Sequence, residues 1–313
     1  LCYDQIDTPK NDISNECRRL VLNKETLEVV SYPFYRFSDY TPKQHKLDFD
    51  KGLFYEKIAG SLCTLHFYDN KWNISTKDTP MGEDKVEKNN EQTFSEYFFK
   101  VLNKTTNLKA LNTNFFYITE FKFPSGTHHL IPNTDSSINL IGLRDKKTLE
   151  ELPHNMLNND FNVLQGLKFK EGKELFDYIN NLDPIVSEGL VYVNRDKVTN
   201  GNYQRFKIKP PQFELIFSLK TVVQSDITKE RERKRLNTKW LKELCQYNKH
   251  RTFLELKKYS CFREEVENID KKIKLFEDTC NQYFHITNPK ETSLLNVEQE
   301  VKTWLFLQLK QKT

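Results

Sequence analysis

Lys57 lies in Lys57-Ile58-Ala59-Gly60-Ser61, directly after the strand-forming run Leu53-Phe54-Tyr55-Glu56. Downstream come Glu188-Gly189-Leu190-Val191-Tyr192 and Phe206-Lys207-Ile208-Lys209. A lysine attacks an electrophile only as the neutral amine, so it needs burial or neighbouring cations to shed its proton. Lys207 and Lys209 alternate with Phe206 and Ile208, which puts both ammonium groups on one face of a strand. Two cations placed there can hold a triphosphate and disfavour protonation of a nearby lysine. The set suits a lysine that becomes covalently nucleotidylated. Taken singly, each part has a plainer reading. A lysine before glycine is commonly a surface turn, and Lys-x-Lys on a strand is commonly a solvated edge that discourages aggregation.

The elements that must position these residues can be read from pattern. Arg19 to Leu22, Leu53 to Tyr55, Ser61 to Phe67, Phe115 to Phe123, Ile138 to Leu143, Gly189 to Val193, Tyr203 to Lys209 and Phe213 to Leu219 carry strand-forming types. Gln92 to Leu102 and Lys170 to Asn181 have apolar residues at helical spacing. Segment 78–92 is polar and reads as a mobile loop, and Gly60 is expected to supply the turn that exposes Lys57. After Val223 the character changes. Thr228 to Leu236 opens a charged helix with an apolar stripe at Trp240, Leu241, Leu244 and Tyr247, and helical patterns follow through Leu309. The expected fold class is α+β, with an antiparallel-sheet domain over residues 1–223 and a small all-α domain over 224–313.

Composition narrows the class. The chain has 313 residues, a formal charge of +4 and only 9 glycines, with no Gly-x-Gly-x-x-Gly or Walker sequence, which argues against a glycine-rich dinucleotide fold. Its six cysteines are scattered without Cys-x-x-Cys pairs and read as reduced intracellular thiols. No apolar run approaches the ~20 residues that span a bilayer. The expectation is a soluble cytoplasmic or nuclear monomer with no membrane partner, although the chain begins at Leu1 and a trimmed leader stays open. His128 and His129 would point to opposite faces of a strand and make a poor metal pair.

Order adds what single motifs lack. Arg18 precedes the first strand; Arg36 lies in Ser31-Tyr32-Pro33-Phe34-Tyr35-Arg36-Phe37; the Lys57 turn follows, then Asn73-Ile74-Ser75-Thr76-Lys77. Next come Phe116 to Pro124 with Glu120, Ile138 to Arg144, Glu188-Gly189 and Lys207-x-Lys209. In this order the chain resembles the covalent nucleotidyltransferase superfamily and, within it, the RNA ligase 1 family of the T-even phage type. The resemblance covers residues 3–220.

The resemblance implies an ATP-grasp-like adenylyltransferase domain that uses ATP and Mg²⁺ or Mn²⁺. Lys57 would carry AMP through a phosphoramidate bond, and Arg18, Arg36, Lys77 and Tyr3 would contact the nucleotide. Glu120, four residues before Pro124, would bind the ribose; Lys122 is the competing alignment, but a cation cannot accept ribose hydroxyl protons. Glu188 would support the metal, and Lys207 and Lys209 would clamp the α-phosphate. The implied partner is RNA with 5′-phosphate and 3′-hydroxyl ends, tRNA among the candidates. The basic run Lys229 to Arg235 reads as a solvated helix face or an RNA-backbone contact.

Four positions depart from the family pattern. Ala59 replaces the aspartate of Lys-x-Asp-Gly, Arg19 replaces a glycine, Ser38 a phenylalanine and Asp78 a glycine. An engineered substitution, a natural variant whose carboxylate comes from elsewhere, and a degenerate ligase all account for Ala59. The alternative function is a catalytically defective, ligase-like nucleotide- or RNA-binding protein. An mRNA-capping guanylyltransferase fits less well, since no OB-type strand domain follows.

Overall fold

Alternating apolar side chains in β4 (Ser61–Tyr68) and β6 (Phe115–Lys122) form the middle of a five-stranded sheet, and the computed structural model completes it with β5 (Lys71–Ser75), β7 (Ser137–Asp145) and β8 (Asn162–Val163) in the order β5-β4-β6-β7-β8. All its pairings are antiparallel except β7–β8. The structure describes residues 9, 11–86, 92–124, 135–153, 156, 161–183, 186–211 and 213, together with 267, 270, 271, 274 and 278. One face of the sheet buries Cys63, Leu65, Tyr117, Phe121 and Leu140 against Phe98 and Leu102 of α2 (Phe94–Leu102). A capping box between Thr93 and Glu96 starts that helix. Residues 82–86 are anchored and do not form the free loop expected of 78–92. Val86 is buried, and the carbonyls of Gly82 and Asp84 accept from Ser95 and Phe94, whose N–H groups have no partner inside the helix.

A second, three-stranded antiparallel sheet runs β10-β9-β3, from β3 (Leu53–Glu56), β9 (Leu190–Thr199) and β10 (Asn202–Ile208). Phe54, Tyr192 and Phe206 on its inner face pack on Leu175 and Ile179 of α3 (Gly172–Asn180). Short strands β1 (Val21–Leu22) and β2 (Val29–Ser31) form a separate antiparallel pair after α1 (Asp12–Glu16).

A buried ionic brace ties the two sheets together. Arg205 of β10 grips Glu151 through two hydrogen bonds, of 2.6 and 2.5 Å. Arg144 of β7 approaches the same carboxylate at 3.7 Å and donates to Asn202 Oδ1 at 2.6 Å. Tyr32 stacks under Arg144 and Phe34 under Arg205, so segment 32–34 seals the brace.

The strand expected over Phe213 to Leu219 is not formed where it is described: Pro211 and Phe213 are helical, and the rest lies outside the described residues. The chain divides into compact units at Leu1–Ile216 and Phe217–Thr313. Of the helical domain expected behind residue 223, including Lys229 to Arg235, nearly all lies outside the described residues; Glu267, Asp270, Lys271, Lys274 and Asp278 are helical. Among the described residues no helix is long and apolar enough to cross a membrane.

Candidate active site

Lys57 follows β3, and its backbone N–H donates to Gly189 O at 2.9 Å, so the lysine turn is fastened to the segment that enters β9. Glu188 lies just before β9, and its carboxylate receives the Lys57 ammonium. Gly189 makes this approach possible. It adopts φ +112°, and a Cβ there would sit 2.2 Å from Ile208 O and 3.0 Å from Lys209 Cα. The glycine thus brings Glu188 beside the end of β10, where Lys207 and the following Lys209 lie.

Gly60 serves differently from the expected turn. Its φ is not positive. A Cβ there would lie 2.8 Å from Phe121 O and 2.9 Å from Glu120 Cγ. The glycine is required because β6 passes against the lysine turn and aims Glu120 at it. Glu120 pairs with Leu62 on β4 and Asn139 on β7, on the sheet face away from the α2 core.

The electrostatics follow from this packing. Burial holds the Lys57 amine below the ordinary lysine range; Glu120 opposes the shift, Lys209 reinforces it and Asp39 opposes it. Burial pushes Glu120 up to about 7, against the pull of Lys57 and Arg19. Burial brings Lys207 down to about 8, with Asp39 opposing and Lys209, Lys57 and Arg18 assisting. The Lys207 ammonium also sits 5.1 Å over the Phe37 ring.

Asp39 is the residue that sequence reasoning missed. Tyr40 N donates to Lys207 O at 2.7 Å and Lys207 N to Ser38 O at 3.0 Å, so segment 38–40 runs alongside β10. The Asp39 carboxylate thereby stands 3.1 Å from Lys209 Nζ. No local motif marks it; a lone aspartate in a loop reaches the site only through this non-local pairing.

The structure therefore brings together Lys57, Glu120, Glu188, Lys207 and Lys209, with Arg18 acting on Lys207. Arg19 acts on Glu120 and adopts φ +69°, the left-handed region where the family pattern has glycine. Arg36 is held through its backbone N–H to Asn15 O at 3.0 Å, beside α1. Lys77 follows β5, is exposed, and lies 3.7 Å from Asp78. Tyr3, His128 and His129 lie outside the described residues. Ala59 is buried, and its apolar neighbour is Phe213. Among the described residues no group of three His, Cys, Asp or Glu side chains is placed to hold a metal ion.

No protein-family model matches the chain. A 79-residue stretch is 38% identical to the "Putative bifunctional polynucleotide kinase/RNA ligase" of Autographa californica nuclear polyhedrosis virus, covering 22% of this chain and 11% of that protein. An archaeal ATP-dependent RNA ligase is similar in structure at TM-score 0.43 and 13% identity, over 68% of this chain and 63% of that one. A Naegleria gruberi RNA ligase mutant with ATP and Mn is similar at TM-score 0.39 and 14% identity, over 53% and 52%. The chain thus spans less than two thirds of each of these relatives.

Within the site, Glu188 fits a divalent cation only in part. Mg²⁺ is commonly held by one or two carboxylates together with substrate phosphates and water, but here the Glu188 carboxylate already receives the Lys57 ammonium.

Proposed function

We propose that this chain is an ATP-dependent RNA ligase joining 5′-phosphate and 3′-hydroxyl RNA ends. The observation that carries the reading is the convergence of Lys57, with a lowered pKa, on Lys207 and Lys209 beside Glu120. A lysine whose proton burial loosens, beside two phosphate-binding cations, is suited to attack at phosphorus once it is released as the neutral amine. The stretch shared with a viral protein named for RNA ligase supports the same reading.

In the first step the Lys57 amine attacks the α-phosphorus of ATP. The N–P bond forms, the bond to pyrophosphate breaks, and the lysine gives up a proton. Lys207 and Lys209 hold the phosphates as charge builds on them. Glu120, on the neighbouring strand, accepts from the ribose hydroxyls. Once free of Lys57, Glu188 would hold a Mg²⁺ or Mn²⁺ ion, which would supply charge neutralisation to the leaving pyrophosphate. In the second step a 5′-phosphate oxygen of RNA attacks the lysyl-AMP phosphorus and frees the amine. In the third, a 3′-hydroxyl attacks the activated 5′-phosphorus and AMP departs. tRNA is among the substrates this reading admits.

The apolar contact of Ala59 with Phe213 favours a second reading, a ligase-like nucleotide- or RNA-binding protein without ligation. Incubation with α-labelled ATP or GTP and Mg²⁺, then denaturing electrophoresis, separates the readings. Label from ATP that is lost in Lys57→Ala supports the ligase, label from GTP a capping enzyme, and no label the binding protein.

A further inference from the structure

The sheet face that carries Glu120 holds further polar groups. Tyr117 and Phe121 of β6 pack with Ile138 and Leu140 of β7 in the α2 core, so Glu120, Lys122, Ser137 and Asn139 project from the opposite face. Lys122 closes β6 two residues beyond Glu120 and lies directly across from Ser137. The register Ser61↔Phe121, continued by one step, sets Lys122 opposite Gly60, three residues from Lys57. Lys122 therefore stands at the end of the sheet where the lysine turn is, and on the side of Glu120.

A hydrogen-bonded chain leads to this point. Asn162 Nδ2 donates to Asn139 Oδ1 at 2.5 Å, and Asn139 Nδ2 donates to Ser137 Oγ at 3.2 Å. Asn139 is buried, and both ends of its carboxamide are engaged within the sheet. Ser137 Oγ is the acceptor at the end of the chain, which leaves its O–H to donate. Lys122 and Ser137 are half-buried, and among the described residues Lys122 forms no ion pair. An ammonium across from a hydroxyl donor complements a phosphate. It does not suit a ribose, whose hydroxyl protons need an acceptor such as Glu120.

We propose that Lys122 and Ser137 bind the terminal 5′-phosphate of the RNA strand, beside the ribose seat at Glu120. The inference rests on the ligase reading for the choice of a terminal phosphate, and its test reads binding alone. The full-length wild-type chain, Lys122→Gln and Ser137→Ala are titrated by fluorescence anisotropy with a 3′-labelled single-stranded RNA carrying either a 5′-phosphate or a 5′-hydroxyl. The wild-type chain should bind the phosphorylated strand about 10-fold more tightly, the size expected of a charge-assisted contact. Lys122→Gln should remove this preference yet bind the 5′-hydroxyl strand as wild type does. Lys122→Met, which keeps most of the apolar stem, should behave in the same way, and Lys122→Arg should retain the preference. Ser137→Ala should reduce it by about 3-fold. Melting temperatures equal to wild type show that the variants are folded. A wild-type chain without the preference overturns the proposal. So does a loss of affinity for both strands alike in Lys122→Gln, which marks a general backbone contact. Labelling of Lys57 by ATP separates the two readings. Label without the preference removes the subsite and leaves the ligase reading standing. The preference, lost in Lys122→Gln, in a chain that takes no label removes the ligase reading and keeps the subsite.

Discussion

Asp39 Oδ1 stands 3.1 Å from Lys209 Nζ, so the lysine just past the end of β10 already has a carboxylate partner. With Glu188 on Lys57, two of the three site lysines already hold acids, and a polyphosphate must compete with both. Asp39→Asn should therefore lower the ATP concentration that half-saturates Lys57 labelling by about 2- to 5-fold, the range for a partly exposed ion pair. A titration of labelled ATP against lysyl-AMP yield checks this; an unchanged midpoint would show that Asp39 does not compete.

Lysyl-AMP formation should pass through a maximum with pH. Raising the pH increases the neutral fraction of Lys57, whose pKa burial lowers. It also discharges Lys207 near 8, which weakens triphosphate binding above that value. Lys207→Arg stays charged and should lose the alkaline fall at subsaturating ATP while keeping the acid limb. Single-turnover labelling from pH 6 to 10 provides the test.

Glu120 carries a linkage of definite sign. Its folded pKa, about 7, lies above the ordinary 4.5, so the folded state holds the proton more tightly. Stability contributed by this group is present below about 4.5 and is lost as pH rises through about 7. Glu120→Gln removes that loss. Its melting temperature relative to wild type should rise between pH 5 and pH 8, while labelling of Lys57 falls for want of the ribose acceptor. A difference in melting temperature that is flat with pH would refute the linkage.

The buried brace should dominate stability between the sheets. Glu151 is nearly inaccessible, accepts two hydrogen bonds from Arg205 and stands 3.7 Å from Arg144. Glu151→Gln leaves two buried guanidinium groups short of charge, at a cost of about 3–5 kcal/mol. At roughly 2–4 °C per kcal/mol for a domain of this size, the melting temperature should drop by about 10 °C. A change within about 2 °C on the same scale would show that water or rearrangement compensates.

Ala59→Asp would place a carboxylate against Phe213, and burying it should destabilise the fold by about 1–3 kcal/mol. Ligation of 5′-phosphorylated RNA is expected to rise nonetheless, because the residue restores the acid of the family pattern. A gel ligation assay beside a melting curve separates the two effects. Turnover that falls together with stability would mark the Ala59–Phe213 contact as native to this protein.

The sequence by itself did not mark α1, β2, β5 or β8, but it determined strands β1, β3, β4, β6, β7, β9 and β10, helices α2 and α3, and the candidate lysine. These rest on short-range physics: alternation in Ser61–Tyr68, the Thr93/Glu96 cap, and the parity that puts Lys207 and Lys209 on one face. Only the tertiary structure decided which groups neutralise that lysine and what its glycines are for. Asp39 reaches Lys209 through pairing across more than half the chain, and no local spacing encodes such a contact. Gly60 looked like a turn residue, yet its constraint is the close passage of Glu120 on another strand. Ala59 looked like a missing acid, and folding sets it against Phe213. Local pattern governs backbone conformation and side-chain parity. Charge balance and burial depend on which distant strands meet, and those are set only when the two sheets close around the Arg144–Glu151–Arg205 brace.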